Sequence, residues 1–471
     1  MTDLALASAV ELLTLYRKKK ASPVEATKAA LARIEKLNPV YNAFRLVDEK
    51  SALADAKRAE KRWHGGKPLG PLDGVPVTVK DILLTRGWST LRGSKAIDPN
   101  QKWNDDAPGV ARMRESGAVL LGKTTTPELG WKGVTDSPLT GITRNPWNKK
   151  KTPGGSSGGA AVAAALGMGA LHFGTDGGGS IRIPAALTGI FGLKATFGRV
   201  PAFPASPFGT LANVGPMTRS VADAALMLNV IAQPDWRDWF ALPPTAEDYL
   251  KDIDKGGAKG LRIAFSRNLG GHKVMPEVKR LVDQAVKALG ALGADMIEDE
   301  PQLGNVAETF QVHWYAPAHA LVNSFSPEAQ AQIDPGLREI ARIGGTYSID
   351  RWLTADAHRR EIGQAMNRFF QRYDFFITPQ LPLTAFDVGL NRPGGSGGDS
   401  DKDSWVDWTP FTYPFNLSRH PAASVPCGVA RDGLPVAFQL VGPFHSERRM
   451  LQVCRAYERA HPFALPQAAQ G

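Results

Sequence analysis

Gly174-Thr175-Asp176-Gly177-Gly178-Gly179-Ser180-Ile181-Arg182-Ile183-Pro184-Ala185 sets a single serine directly after three glycines and directly before a short predicted helix. Glycines let the backbone turn so tightly that several N–H groups can converge on one small space. A helix N-terminus adds free donors and the positive end of a dipole. A serine hydroxyl held there is placed to attack a carbonyl. The N–H groups of Gly177, Gly178, Gly179 and Ser180 are then the candidates to surround the developing oxyanion. The stretch reads as a site for acyl transfer.

Residues 170–175 read as a strand feeding this turn, and strand and helix signals alternate in both directions from it. Residues 75–80 and 118–121 are strand-like upstream; 261–265, 375–378 and 436–441 are strand-like downstream. Helices are predicted over 23–37, with Ser22 ahead of Pro23, and over 276–292 and 450–460. Residues 158–166 are Gly, Ala, Val and Leu all round, so a helix there must be buried. This alternation predicts an α/β fold with a mixed, largely parallel central sheet covered by helices on both faces. Residues 391–401, rich in Gly, Ser and Asp, predict a flexible loop.

Composition narrows the function classes. The chain has 471 residues, 43% hydrophobic and 22% charged, ordinary values for a globular protein with a large core. Lys and Arg number 56 against 46 Asp and Glu, a formal charge of +10. The basic runs at 17–20 and 149–151 are short and carry no interleaved aromatic residues, so they read as solvated surface and not as a nucleic-acid site. The first is expected to close a helix, where cations suit the dipole. Two cysteines, Cys427 and Cys454, argue against a disulfide framework or a cysteine-ligated metal. Residues 4–15 are apolar but contain Glu11 and follow no basic residue, unlike a secretory signal. No window has a membrane-spanning length, so the cytoplasm is the expected compartment.

Two textual matches fail on physical grounds. Residues 117–124 fit a Walker A pattern, yet the four variable positions, which should form an open phosphate loop, are the buried-strand tetrapeptide Ala118-Val119-Leu120-Leu121. Gly154-Gly155-Ser156-Ser157-Gly158 fits the nucleophile elbow of α/β-hydrolases, which requires a strand running into it. The preceding residues 145–153 are polar and broken by prolines, and nothing singles out a partner among the nine histidines.

What remains are two serine–glycine clusters and Lys80, at the end of an apolar strand. Together they resemble the amidase signature family of serine hydrolases. The resemblance rests on residues 154–159 (Gly-Gly-Ser-Ser-Gly-Gly) and 176–185, supported by 74–81, 122–124, 192–194, 215–217, 414–417 and 433–436. It implies that Ser180 is the nucleophile, Ser156 the bridging serine after a cis Gly155–Ser156 peptide, and Lys80 the terminal base. Such a lysine must be neutral, which takes desolvation or another positive charge to bring its pKa from about 10.4 to roughly 7–8. Valines on either side of Thr78 supply an apolar setting. Ser157 is expected to support the loop by hydrogen bonding. Thr175, Asp176 and Arg182 are expected to fix the glycine turn. Neither metal nor organic cofactor is required.

The same resemblance implies one domain over 1–471. Its parts are a helical segment at 1–65, a catalytic core at 70–230, a variable, partly helical insertion near the substrate entrance at 231–370, and the C-terminal part of the sheet at 371–471. Two positions depart from the family pattern: Gly177, where a larger residue is common, and Ala195, where proline is usual after Gly-Leu-Lys. The expected substrate is a small amide, apolar or aryl, with ester or carbamate turnover as further possibilities. Leu129, Gly130 and Trp131 are the candidate pocket residues. Trp314, Tyr315 and Phe325 are open to two readings, as core aromatics or as part of the entrance. The main alternative is the A subunit of a glutamyl-tRNA amidotransferase, which usually carries Asn-Met-Asp-Glu-Phe, or a close variant, after Gly-Lys-Thr. Here Thr125-Thr126-Pro127-Glu128-Leu129-Gly130-Trp131 follows instead. A catalytically inactive binding protein is the alternative of another class, but it would be expected to have lost a triad residue.

Overall fold

The computed structural model describes residues 3–395 and 404–470. Residues 396–401 of the predicted loop therefore lie outside the described residues. Among those described, the strands are β1 (Phe44–Val47), β2 (Pro76–Lys80), β3 (Val119–Thr124), β4 (Asp136–Ser137), β5 (Gly141–Ile142), β6 (Leu171–Asp176), β7 (Phe191–Lys194), β8 (Asn213–Thr218), β9 (Arg262–Phe265), β10 (Asp295–Glu298), β11 (Phe375–Pro379), β12 (Ala422–Val429) and β13 (Pro435–Val441). Eleven of them form one sheet in the order β1-β3-β2-β6-β8-β7-β12-β13-β11-β9-β10, and β4 pairs separately with β5.

The sheet is mixed, with parallel pairs in two blocks, β3-β2-β6 and β11-β9-β10. Everything between β6 and β11, and the β1 edge, is antiparallel. The sheet is thus less parallel than the alternation of strands and helices suggests. The physical reason is visible in the connections: β12 returns into β13 through a short turn, which only an antiparallel pair allows.

Side chains along a strand point alternately to opposite faces, and here they enter different cores. Ile263 and Phe265 pack in one cluster and Ala264 in another; Phe375 and Ile377 separate likewise from Phe376, and Leu120 from Val119 and Leu121. Helices cover both faces accordingly. Helices Val221–Ile231, Pro276–Ala291 and Glu447–Ala460 lie on the first. Helices Pro23–Tyr41, Gly158–Ala165, Val306–Asn323 and Pro335–Gly344 lie on the second. Helix Pro276–Ala291 shows the cause: Val278, Leu281, Val282, Ala285, Val286 and Leu289 recur on one buried stripe. Residues 231–370 are partly helical and also supply β9 and β10. Among the described residues, no helix is long and apolar enough to cross a membrane.

Both rejected motifs look as their physics requires. Val119–Leu121 lies inside β3, fully buried, where no phosphate loop fits. Among the described residues, no strand of the main sheet runs into Ser156.

Candidate active site

β2 and β6 are parallel neighbours, with Thr78 opposite His172, so Lys80 and Thr175 emerge together at the carboxyl ends of their strands. That is where open α/β sheets hold their ligands. Lys80 is fully buried. Its Nζ lies 2.7 Å from Ser156 Oγ, 2.8 Å from Ser157 Oγ and 2.8 Å from Thr175 Oγ1. Burial pushes its pKa well below the ordinary lysine range, against the opposing pull of Asp176.

The serine pair is held by close packing. The Gly155–Ser156 peptide is cis, as the family resemblance implies. Gly158 and Gly159 open the all-apolar helix Gly158–Ala165, and a Cβ on Gly159 would collide with the backbone and hydroxyl of Thr125. Ser157 is tied on both sides: its hydroxyl donates to Thr175 O at 3.2 Å and accepts from Thr175 N at 3.2 Å. Its backbone N–H donates to Ser180 O at 3.1 Å, joining the two serine loops.

The glycine turn is clamped by a buried ion pair. Arg182 donates from Nε and Nη2 to the two carboxylate oxygens of Asp176, each at 2.9 Å. Its remaining donors go to Thr412 O at 2.9 Å, Gln439 Oε1 at 2.6 Å and Asn416 Oδ1 at 2.7 Å. All five guanidinium N–H groups are thereby used. Burial would raise the Asp176 carboxyl, but the Arg182 charge, the hydrogen bonds from Arg182 and Asn416, and the Lys194 charge together outweigh it and hold the pKa down at about 2. Asp176 also accepts from the N–H of Gly179 at 2.8 Å and of Ile181 at 3.3 Å.

The bond from Gly179 corrects one expectation. Gly179 does not offer a free donor to an oxyanion, because its N–H turns inward onto Asp176. Its φ of +125° and its closeness to Thr412 explain the glycine: a Cβ there would sit 2.6 Å from Thr412 Cβ. Among the described residues, the N–H groups of Gly177, Gly178 and Ser180 carry no hydrogen bond and remain as candidates.

Ser156, Thr175, Gly177 and Ser180 open onto one cavity, whose walls include Ile82, Leu129, Phe208, Trp314 and Leu321. Leu129 and Gly130 are there as expected. Trp131 is not: its indole packs against Gly336 at the start of helix Pro335–Gly344, and only its carbonyl serves the site, accepting from Trp314 Nε1 at 3.1 Å. Of the three open aromatics, Trp314 lines the cavity, Tyr315 packs in the core and Phe325, half-buried, packs against that core. Trp314 stacks on Phe208 with ring centroids 3.7 Å apart. A Cβ on Gly177 would lie 3.0 Å from Trp314 Cζ3, so the indole fills the space a larger residue there would take. Phe208, Leu321 and Arg92 went unmarked in the sequence because loops distant along the chain bring them together; no spacing announces them.

Such a fold and site, two serines and a buried lysine at the strand ends of a helix-covered mixed sheet, define a hydrolase of acyl compounds. Known proteins agree. The family model described as Amidase matches residues 25–451. An acylamidase of Rhodococcus erythropolis is 37% identical over 460 residues, covering 97% of this chain and 96% of that one. The A subunit of the glutamyl-tRNA(Gln) amidotransferase of Myxococcus xanthus is 36% identical over 496 residues, covering 98% of each. The solved structure of a bacterial aryl acylamidase of the amidase signature family superposes with a TM-score of 0.89 at 30% identity, over 98% of each chain. The chain belongs to the amidase family. It is an amidase, a hydrolase acting on carbon–nitrogen bonds.

Proposed function

We propose that this amidase cleaves apolar or aryl carboxamides through an acyl-enzyme on Ser180, with Ser156 as the proton bridge and Lys80 as the base. The arrangement around Lys80 Nζ carries the reading. A neutral lysine has two N–H groups and one lone pair, and three hydroxyls surround it at 2.7–2.8 Å. The Ser157 hydrogen is committed to Thr175 O, so Ser157 accepts from Lys80. With Thr175 Oγ1 accepting the second N–H, the lone pair is left for the Ser156 hydrogen. Ser156 then draws the proton of Ser180 as Ser180 attacks the carbonyl. The N–H groups of Gly177, Gly178 and Ser180 receive the oxyanion. The bridge returns a proton to the leaving nitrogen, and water releases the acyl group.

The aliphatic and aromatic walls support an apolar or aryl substrate, as do the acylamidase and aryl acylamidase relatives. Ester and carbamate cleavage use the same attack. The amidotransferase relatives support the alternative reading as an amidotransferase A subunit, against which stands the segment Thr125–Trp131. Fluorophosphonate labelling mapped by mass spectrometry tests the core assignment: the adduct is expected on Ser180, and an adduct on Ser156 alone sinks it. Turnover of an anilide, an aliphatic amide and glutamine then separates the substrate readings.

Two further results are expected. Because the base works only when neutral, kcat/KM should rise with pH through the Lys80 titration and fall off on acidification, with the acid limb well below the range of a free lysine. Stability should move the same way. Between the lowered native pKa and about 10.4, the unfolded chain holds a proton that the native one lacks, so raising the pH favours the fold. A flat profile from about pH 5 to 9 contradicts this role. In the pocket, Gly177→Val drives a side chain into Trp314 and should lower kcat/KM for anilides about tenfold, the order expected of overpacking. Trp314→Ala in the same chain should restore part of the loss; no restoration means that the indole is not what the valine meets.

A further inference from the structure

Arg92 is the sole charged side chain among the described residues lining the cavity. Its Nε is buried without a hydrogen-bond partner, and its guanidinium makes no ion pair within 4.0 Å among the described residues. Its backbone, at φ +53°, is fixed beside the reacting groups. The Arg92 carbonyl accepts from Leu129 N at 2.7 Å, and a Cβ on Gly130, the residue after Leu129, would be 3.5 Å from Ser156 Oγ.

The carboxylate that attracts Arg92, Asp81, is already shared. Asp81 pairs with Arg45 at 2.8 Å and stands 3.9 Å from Lys123 Nζ, while Asp106 pairs with Arg114 at 3.0 Å. Arg45 and Arg92 thus share Asp81, beside Lys123, whose pKa burial lowers to about 7, and Arg92 brings positive charge to the cavity wall. An apolar cavity concentrates such a field. Leaving a guanidinium there without an anion wastes its donors, and the group that matches its planar fork is a carboxylate.

The geometry points to amides that carry a carboxylate, with Arg92 as the specificity-determining residue that receives it. The inference rests on the serine chemistry above and narrows it: the apolar walls take the hydrocarbon part, and Arg92 takes the charged end.

Two matched pairs of substrates test this and locate the anion. N-benzoylglycine against N-isobutylbenzamide places the carboxylate on the leaving amine. Succinic acid monoanilide against 4-methylpentananilide places it on the acyl group. In at least one pair, kcat/KM for the carboxylate member should exceed that of its neutral isostere by about tenfold to a hundredfold, the range of a charge-assisted hydrogen bond. Arg92→Met should collapse that ratio towards one, chiefly through KM, and Arg92→Lys should keep part of it. A ratio near one in both pairs, or a preference that survives Arg92→Met, overturns the assignment while the anilide turnover and Ser180 adduct leave the serine chemistry standing. Cleavage of neither carboxylate substrate also overturns it; an unlabelled Ser180 in the same preparation removes the serine reading as well.

Discussion

Lys80→Met is expected to lower kcat for a good amide substrate by about 10⁴-fold or more at roughly pH 7–8, the scale on which general bases and catalytic triads fail. The fold should survive, because methionine matches the lysine stem in length and its neutrality suits a site where burial already disfavours charge. Ser157 and Thr175 each lose one partner but keep their bond to one another. Circular dichroism and a thermal melt would confirm the fold, and the rate of fluorophosphonate labelling at Ser180 should fall with kcat. A folded variant that retains a tenth of the activity would exclude Lys80 as the base.

Arg182→Met attacks the scaffold beneath the chemistry. It strands a buried carboxylate, Asp176, leaves Gln439 Oε1 and Asn416 Oδ1 each without a donor, and leaves the Thr412 carbonyl only its bond from the Phe415 N–H at 3.4 Å. Breaking a buried pair from one side costs about 3–5 kcal/mol, measured as the loss of unfolding free energy in urea. Acid sensitivity should follow. In the native protein the Asp176 carboxyl, held at about 2, contributes stability above the usual carboxylate range and loses it only as the pH falls towards 2. Without Arg182, the Asn416 hydrogen bond and the Lys194 charge are left to oppose burial, so that carboxyl should rise and the variant should unfold at a higher pH. Asp176→Asn combined with Arg182→Met should cost less than the sum of the single changes. A single-variant loss below about 1 kcal/mol would mean that the clamp is not structural.

The parts of the site that were legible in the sequence are those built from contiguous residues. The two serine–glycine clusters and Lys80 each sit in a short contiguous motif, and their combination carried the family resemblance. β2, β6, β11 and β13 announced themselves as apolar runs between turns, since strands buried on both faces need no alternation. β8 did not. It is Asn213-Val214-Gly215-Pro216-Met217-Thr218, whose glycine and proline argue against a central strand. The fold tolerates Pro216 because β7 pairs only as far as Met217 and Thr218, so Pro216 pairs with Phe173 on the β6 side alone. β12 hides for a related reason, with Pro426 at a break in its register. The cavity walls were the least legible, since Phe208 and Trp314 meet only after the sheet has formed.

The clamp under the glycine turn has a consequence for how the protein comes into being. Arg182 reaches across 257 positions to Gln439, in β13, the last strand among the described residues. The turn bearing Ser180 is therefore finished only when that late part of the chain has docked. A chain that stops before β13 would carry Lys80, Ser156 and Ser180 and yet lack part of the frame around the proposed nucleophile. Activity is expected only once β13 has docked.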